Sequence, residues 1–170
     1  HMSTHRLSAG PLLFAVALLT LALPASAADL VLPAPSPLSR VRQTVGVAEV
    51  TVEYSSPGVK GREIFGKLLP FDELWRTGAN GSTKLTLSAD ATIAGKAVPA
   101  GTYAVFTIPG KRSWTFILNK NAKQGGTRQY DTKLDQLRVT LKPATVAKRE
   151  RLTFLFNDTT DTDTRLDLEW

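Results

Sequence analysis

The sequence predicts an all-β domain, an antiparallel β-sandwich or barrel-like fold with little helix, and three observations carry that prediction. Short runs alternate apolar and polar residues with period two. Clusters of Gly, Pro, Asn and Asp separate those runs at short, regular intervals. Beyond residue 28 no stretch keeps apolar residues at i, i+3 and i+4 over a dozen positions, so helix is confined to short pieces such as Pro70-Phe71-Asp72-Glu73-Leu74.

From the N-terminus, His1-Met2 reads as an expression scar. Residues 3–27 carry Arg6, an apolar run from Leu12 to Leu23 and the small-residue end Ala25-Ser26-Ala27, the layout of a cleaved secretory signal peptide. The run is short of the roughly 18 residues that a spanning helix needs, and only Thr20 would give it a polar face. Cleavage is expected before Ala28. Residues 28–39, with Pro33, Pro35 and Pro37, read as a Pro/Ala-rich linker or extended arm, and a single β domain is expected over 40–170.

Within that domain, Val50, Val52 and Tyr54 share one face of a strand over Ala48–Tyr54 while Glu49, Thr51 and Glu53 share the other. Lys84–Ser88, Leu137–Leu141 and Arg165–Trp170 repeat the alternation. Tyr103–Ile108, Trp114–Leu118 and Leu152–Phe156 are apolar on both faces, as central strands are. Ala94-Gly95-Lys96, Pro99-Ala100-Gly101, Pro109-Gly110-Lys111 and Asn157-Asp158-Thr159 supply turns, and Gly125-Gly126 reads as a flexible one. Lys148-Arg149-Glu150-Arg151 reads as a solvated lead-in to a strand. The strand pattern is still running at Trp170, which predicts that the natural chain continues past it.

Composition narrows the chemistry. The 170 residues hold 21 Lys plus Arg against 15 Asp plus Glu, a formal net charge of +6, and no cysteine. Disulfides, thiolate metal sites, cysteine nucleophiles and a lipid-bearing cysteine are excluded. Both histidines, His1 and His5, fall in the segment read as removed. Catalysis would then depend on carboxylates, Lys, Tyr or hydroxyls. The product is expected in the periplasm or outside the cell, with no membrane span or lipid anchor, no cofactor and no nucleic-acid partner, because its basic residues are scattered rather than gathered in a stripe.

Three strings are specific: Val59-Lys60-Gly61-Arg62-Glu63-Ile64-Phe65-Gly66, Leu74-Trp75-Arg76-Thr77-Gly78-Ala79-Asn80, and the run from Pro99 through Tyr103 to Gly110. With Trp114, Asn119, Tyr130-Asp131 and Leu166–Trp170, they resemble the exported bacterial family catalogued as domain of unknown function 2911, over about residues 36–170. The resemblance implies a predominantly β, exported domain and no established activity, cofactor or catalytic set.

Candidate sites therefore come from residue chemistry. Trp75, Arg76, Thr77 and Asn80 set a guanidinium, an amide, a hydroxyl and a stacking ring among small residues, a set suited to a carboxylate, phosphate or sugar. Lys60 and Arg62 would add charge, and Tyr103 a second stacking wall. The plainer alternative has Arg76 paired with Glu63, Asp72 or Glu73 and Trp75 in the core. Asp158, Asp161 and Asp163 offer oxygens for calcium, but no EF-hand spacing is present and a solvated hairpin turn is the favoured reading, so no metal is expected. Glycan hydrolysis would need a carboxyl pair such as Glu63 with Asp72 or Glu73, or Asp131 with Asp135. Ser82 and Lys84 share a strand face, the nearest approach to a Ser and Lys pair.

The leading expectation is a non-enzymatic module that binds a small polar or anionic ligand, or an envelope partner, through the loop from Lys60 to Asn80. The alternatives are a carboxylate-dependent glycan hydrolase and an assembly module acting through an edge strand.

Overall fold

Ten strands carry the architecture, and the computed structural model describes residues 31–170. The expected signal peptide over 3–27 lies outside the described residues. The chain divides into the units His1–Leu32 and Pro33–Trp170, and every strand among the described residues belongs to the second. No helix among the described residues is long and apolar enough to cross a membrane.

The main sheet is antiparallel and six-stranded. Its strands are β1 (Leu38–Val45), β2 (Ala48–Ser55), β3 (Thr83–Leu87), β6 (Gly101–Ile108), β7 (Trp114–Asn119) and β8 (Asp135–Leu141), in that spatial order. Between β3 and β6 the chain makes the small hairpin β4 (Ala91–Ile93) and β5 (Lys96–Val98), whose turn residues Ala94 and Gly95 both have positive φ, at 48° and 77°. That is the turn whose twist matches paired strands. The last hairpin, β9 (Thr153–Asn157) with β10 (Arg165–Glu169), lies over the core face of the main sheet.

Period two sorts the side chains. Val52 and Tyr54 of β2, Leu85 and Leu87 of β3, Tyr103 and Val105 of β6, Leu118 of β7 and Leu137 of β8 form one buried face, covered by Val98, Leu152, Phe154 and Trp75. Tyr54 and Phe154 meet edge to face at 4.8 Å. Each such side chain contributes about 1.5–3 kcal/mol on burial. On the opposite face Phe106 and Ile117 are also fully buried, under Leu74, Ile108 and Tyr130, which is why β6 and β7 read as apolar on both sides.

Two features differ from the sequence expectation, the conformation of Pro70–Leu74 and the end of the Pro-rich arm. Pro70–Leu74 forms a turn and not a helix, because Asp72 takes φ 64° while its N–H bonds Pro109 O at 2.8 Å. Among the described residues the helical content is two 3-10 turns, at Thr127–Gln129 and Thr132–Leu134. Lys148–Arg151 stay exposed and lead into β9, as the sequence predicts, and three of them also make bonds: Arg149 pairs with Glu169 at 2.6 Å, Glu150 accepts from the Lys60 N–H at 2.9 Å, and Arg151 donates to Ser56 O and Pro35 O. The end of the Pro-rich arm is anchored too, since Ser56 N donates to Pro37 O at 2.9 Å and strand geometry begins at Leu38.

Candidate functional site

Trp75 continues the β3 column, exchanging two backbone hydrogen bonds with Thr107 of β6 at 2.8 and 3.0 Å. Its indole is buried, stacks on Trp170 at 5.8 Å, meets Phe65 edge to face and donates Nε1–H to Gly78 O at 3.1 Å. Thr77 is 1% exposed with φ 56°, a conformation that costs a β-branched residue about 1–3 kcal/mol. Its surroundings hold it there. Thr77 Oγ1 lies 3.3 Å from Trp75 O and 3.1 Å from Thr107 Oγ1, and Thr77 O accepts from Thr83 Oγ1 at 2.8 Å. Gly78 completes the clamp, because a Cβ there would stand 2.8 Å from Thr83 Oγ1.

The outer half of this loop is more open. Asn80, at φ 58°, donates Nδ2–H to Ser55 Oγ at 3.2 Å. Arg76 donates Nη1–H to Asn80 O at 2.8 Å and lies against Gly126, where a Cβ would sit 3.2 Å from Nη1. The ion pair of Arg76 with Glu63, Asp72 or Glu73 entertained from sequence is not formed. Arg76 has no salt bridge among the described residues.

Opposite stands the loop from Asn119 to Gly126, whose Gly125-Gly126 end the sequence reads as a flexible turn and whose start is pinned from below. Asn119 is fully buried. Its Nδ2 donates to Asp131 O and to Asp135 Oδ1, both at 2.9 Å, and its Oδ1 accepts from Asn121 N and Gln124 Nε2, both at 3.1 Å. Tyr130 extends the network, donating to Asp135 Oδ2 and accepting from Arg138 Nη2, each at 2.7 Å. Burial first, and then the Asp135 carboxylate, push the Tyr130 phenol up to about 12. Ser82 Oγ donates to Gln124 O at 2.9 Å and so joins the two loops.

Gln124 is 3% exposed. Its Nε2 also donates to Asn121 O at 2.8 Å, yet Oε1 has no partner among the described residues. An unpaired buried acceptor costs about 1–3 kcal/mol, a cost that native structures commonly accept where a ligand or solvent completes the bond.

Between the loops runs a groove of about 280 Å³, whose lining includes Ser55, Gly81, Ser82, Lys84, Lys123 and Gln124. Glu53 lines it as well and is paired with Arg40. Neither Lys84 nor Lys123 makes an ion pair among the described residues. Lys84 and Lys123, with Ser55 and Ser82, therefore border one small space. A second groove, of about 240 Å³ on the open face of β1 to β3, is lined by Arg40, Arg42, Glu49 and Glu53, whose charges already pair across the strands, and by Lys84, which borders both grooves.

The remaining candidates disperse. Lys60 gives its N–H to Glu150, while Arg62 folds back onto Val59 O and Gly58 O at 3.0 and 2.6 Å; neither is bonded to Arg76. Tyr103 is buried in the core and donates to Pro99 O at 2.8 Å; burial and then Asp90 raise its pKa. Asp131 caps the 3-10 turn through Lys133 N at 2.9 Å, and Asp135 is held by Asn119, Tyr130 and Arg138. Glu63, Asp72, Glu73, Asp131 and Asp135 line neither groove. Asp158 pairs with Arg165, and Asp163 accepts from Thr162 Oγ1 at 2.8 Å. Asp161 offers its backbone oxygen to Gly46 N at 2.8 Å. Among the described residues no group of three or more His, Asp or Glu side chains is placed to hold a metal ion.

Sequence reasoning reached Ser82 and Lys84 through their shared strand face but not Ser55, Lys123 or Gln124. Ser55 lies on the polar face of an alternating strand, and parity points to it; nothing in Lys123-Gln124 announces a buried amide.

Fold and site together define an antiparallel β-sandwich with a small polar groove between two loops at one end of its main sheet. The chain belongs to the family described as Protein of unknown function (DUF2911), whose pattern matches residues 36–170. No curated protein and no solved structure matches it.

Proposed function

We propose that this domain is an exported, non-enzymatic binding module that takes a small polar or anionic ligand in the groove between the loop from Trp75 to Ser82 and the loop from Asn119 to Gly126. One observation carries the reading: Lys84 and Lys123, both without a carboxylate partner among the described residues, line a groove that also presents the Ser55 and Ser82 hydroxyls. Ammonium and hydroxyl groups converging on one spot favour an anion. Arg76 stands beside this groove and adds positive charge, with its one bond to Asn80 leaving N–H groups to spare. Asn80 and Thr77 act through the shape of the loop, and Trp75 through its anchorage. Residence in the periplasm or outside the cell is supported by the signal-peptide layout over 3–27.

Calorimetric titration with citrate, glucose 6-phosphate and D-glucuronate tests the reading. At least one should bind the wild-type domain, and the double change Lys84→Met with Lys123→Met should abolish the heat while the circular dichroism spectrum stays unchanged. Undiminished binding by the folded double variant refutes the groove as the site.

A further inference from the structure

We infer that the ligand of this groove is one stretch of an acidic polysaccharide whose chain continues along the open face of β1 to β3. This rests on the groove being an anion site and extends that site beyond a single sugar unit. The groove between the loops and the groove on the sheet adjoin, because Glu53 and Lys84 line both. Strand register explains the continuity. Arg40, Glu53 and Lys84 stand abreast on β1, β2 and β3, and the next row along the same face is Arg42, Thr51 and Thr86. Alternation turns both rows outward, and none of the six residues is buried. From Ser55 in the first groove to Glu49 in the second, β2 covers about 20 Å at a rise of about 3.3 Å per residue.

Charge and chemistry select the occupant. The two grooves present Arg40, Arg42, Lys84 and Lys123 against Glu49 and Glu53, so positive charge leads. The pairs of Arg40 with Glu53 and of Arg42 with Glu49 lie at the surface, and such pairs rearrange at little cost when an acid group arrives. Among the charges stand the hydroxyls of Ser55, Ser82, Thr51 and Thr86, the last sharing a hydrogen bond of 3.0 Å with Thr102 Oγ1. Sugar hydroxyls both donate to and accept from such groups. An acidic peptide fits less well. β2 and β3 are paired on both sides, which leaves no strand edge for a peptide backbone to join, and the grooves carry few apolar side chains in which a peptide could anchor.

The test is calorimetric titration of the full chain with oligogalacturonates from monomer to hexamer, with poly-L-glutamate and maltohexaose as comparison probes. The hexamer should bind about a hundredfold more tightly than D-galacturonate, beyond the roughly sixfold that counting its equivalent units supplies. Poly-L-glutamate should bind more weakly than the hexamer, and uncharged maltohexaose should not bind. Arg42 is exposed and lines the far groove alone, so Arg42→Gln should lower hexamer affinity about tenfold, the worth of one charged contact, and leave the monomer unchanged. A hexamer gain of about sixfold or less, or an equal loss for monomer and hexamer in Arg42→Gln, overturns the extension and leaves the small anion site intact. Poly-L-glutamate or maltohexaose matching the hexamer overturns an acidic polysaccharide as the occupant. No binding of any oligomer while citrate or glucose 6-phosphate still binds overturns the extension alone, and no binding of any of these probes overturns both readings.

Discussion

The two loops that face each other across the groove are built on opposite plans. The loop from Trp75 to Ser82 is held by apolar anchorage: an indole stacked on Trp170, a strained Thr77 locked beneath it, and a glycine where no Cβ fits. The loop from Asn119 to Gly126 is held by polar bonds, with one buried amide as hub and a second amide whose oxygen is left over. A loop rich in chemically expressive residues can thus be mostly anchor. A loop whose sequence announces only a Gly125-Gly126 turn can rest on a buried amide.

The strongest way to break this contrast is Trp75→Ala. It removes the ring that stacks on Trp170 and packs against Phe65, and it should cost about 3–5 kcal/mol in urea unfolding. A loss under about 1 kcal/mol would mean that the first loop is not anchored through the core. Next in size is Asn119→Ala. Taking one partner from Gln124 Nε2 and one from the Asp135 side chain should cost about 1–3 kcal/mol and speed amide hydrogen exchange over 121–126 but not over 75–82. Exchange unchanged in both loops would remove Asn119 as the hub.

Thr77→Val keeps the shape and deletes the hydroxyl shared with Thr107, so about 0.5–1.5 kcal/mol should be lost, read as a shift in urea midpoint at constant slope. Tyr130 gives the polar loop a pH signature. Its folded value, raised to about 12 from an ordinary 10.0, means that its contribution to stability is fully present below about pH 10 and is lost as pH rises through 12. Tyr130→Phe should flatten that alkaline decline in thermal melts; an identical decline in both proteins would place its origin elsewhere. The smallest effect is expected for Lys123→Ala, an exposed residue whose removal should leave stability within about 0.5 kcal/mol while weakening anion binding. A large stability loss there would show that the lysine holds the loop together.

Most of the strands were legible because burial on one face imposes period two directly on the sequence, as at Val50, Val52 and Tyr54, and burial on both faces imposes an unbroken apolar run, as at Tyr103–Ile108. β1 escaped notice. As an edge strand it alternates half-buried and exposed positions, and Arg40 and Arg42 occupy its open face. The β4–β5 hairpin showed only its turn, since three residues are too few to display a period. Pro70–Leu74 has the local composition of a short helix, yet its conformation is set by the backbone bond from Asp72 N to Pro109 O, a partner that local propensity does not contain.

The sequence by itself determined the class of this protein: an all-β domain, the faces of its main strands, and a residue set without cysteine that turns its chemistry toward lysines, carboxylates and hydroxyls. Only the tertiary structure decided which of those residues meet. Ser55, Lys84 and Gln124 come together because β2 and β3 lie side by side in the antiparallel order and the buried Asn119 draws the next loop back over their ends. Hydrophobic period is a property of one strand and is written in consecutive residues. Convergence is a property of strand order and register, which are fixed by how several faces bury one another at once.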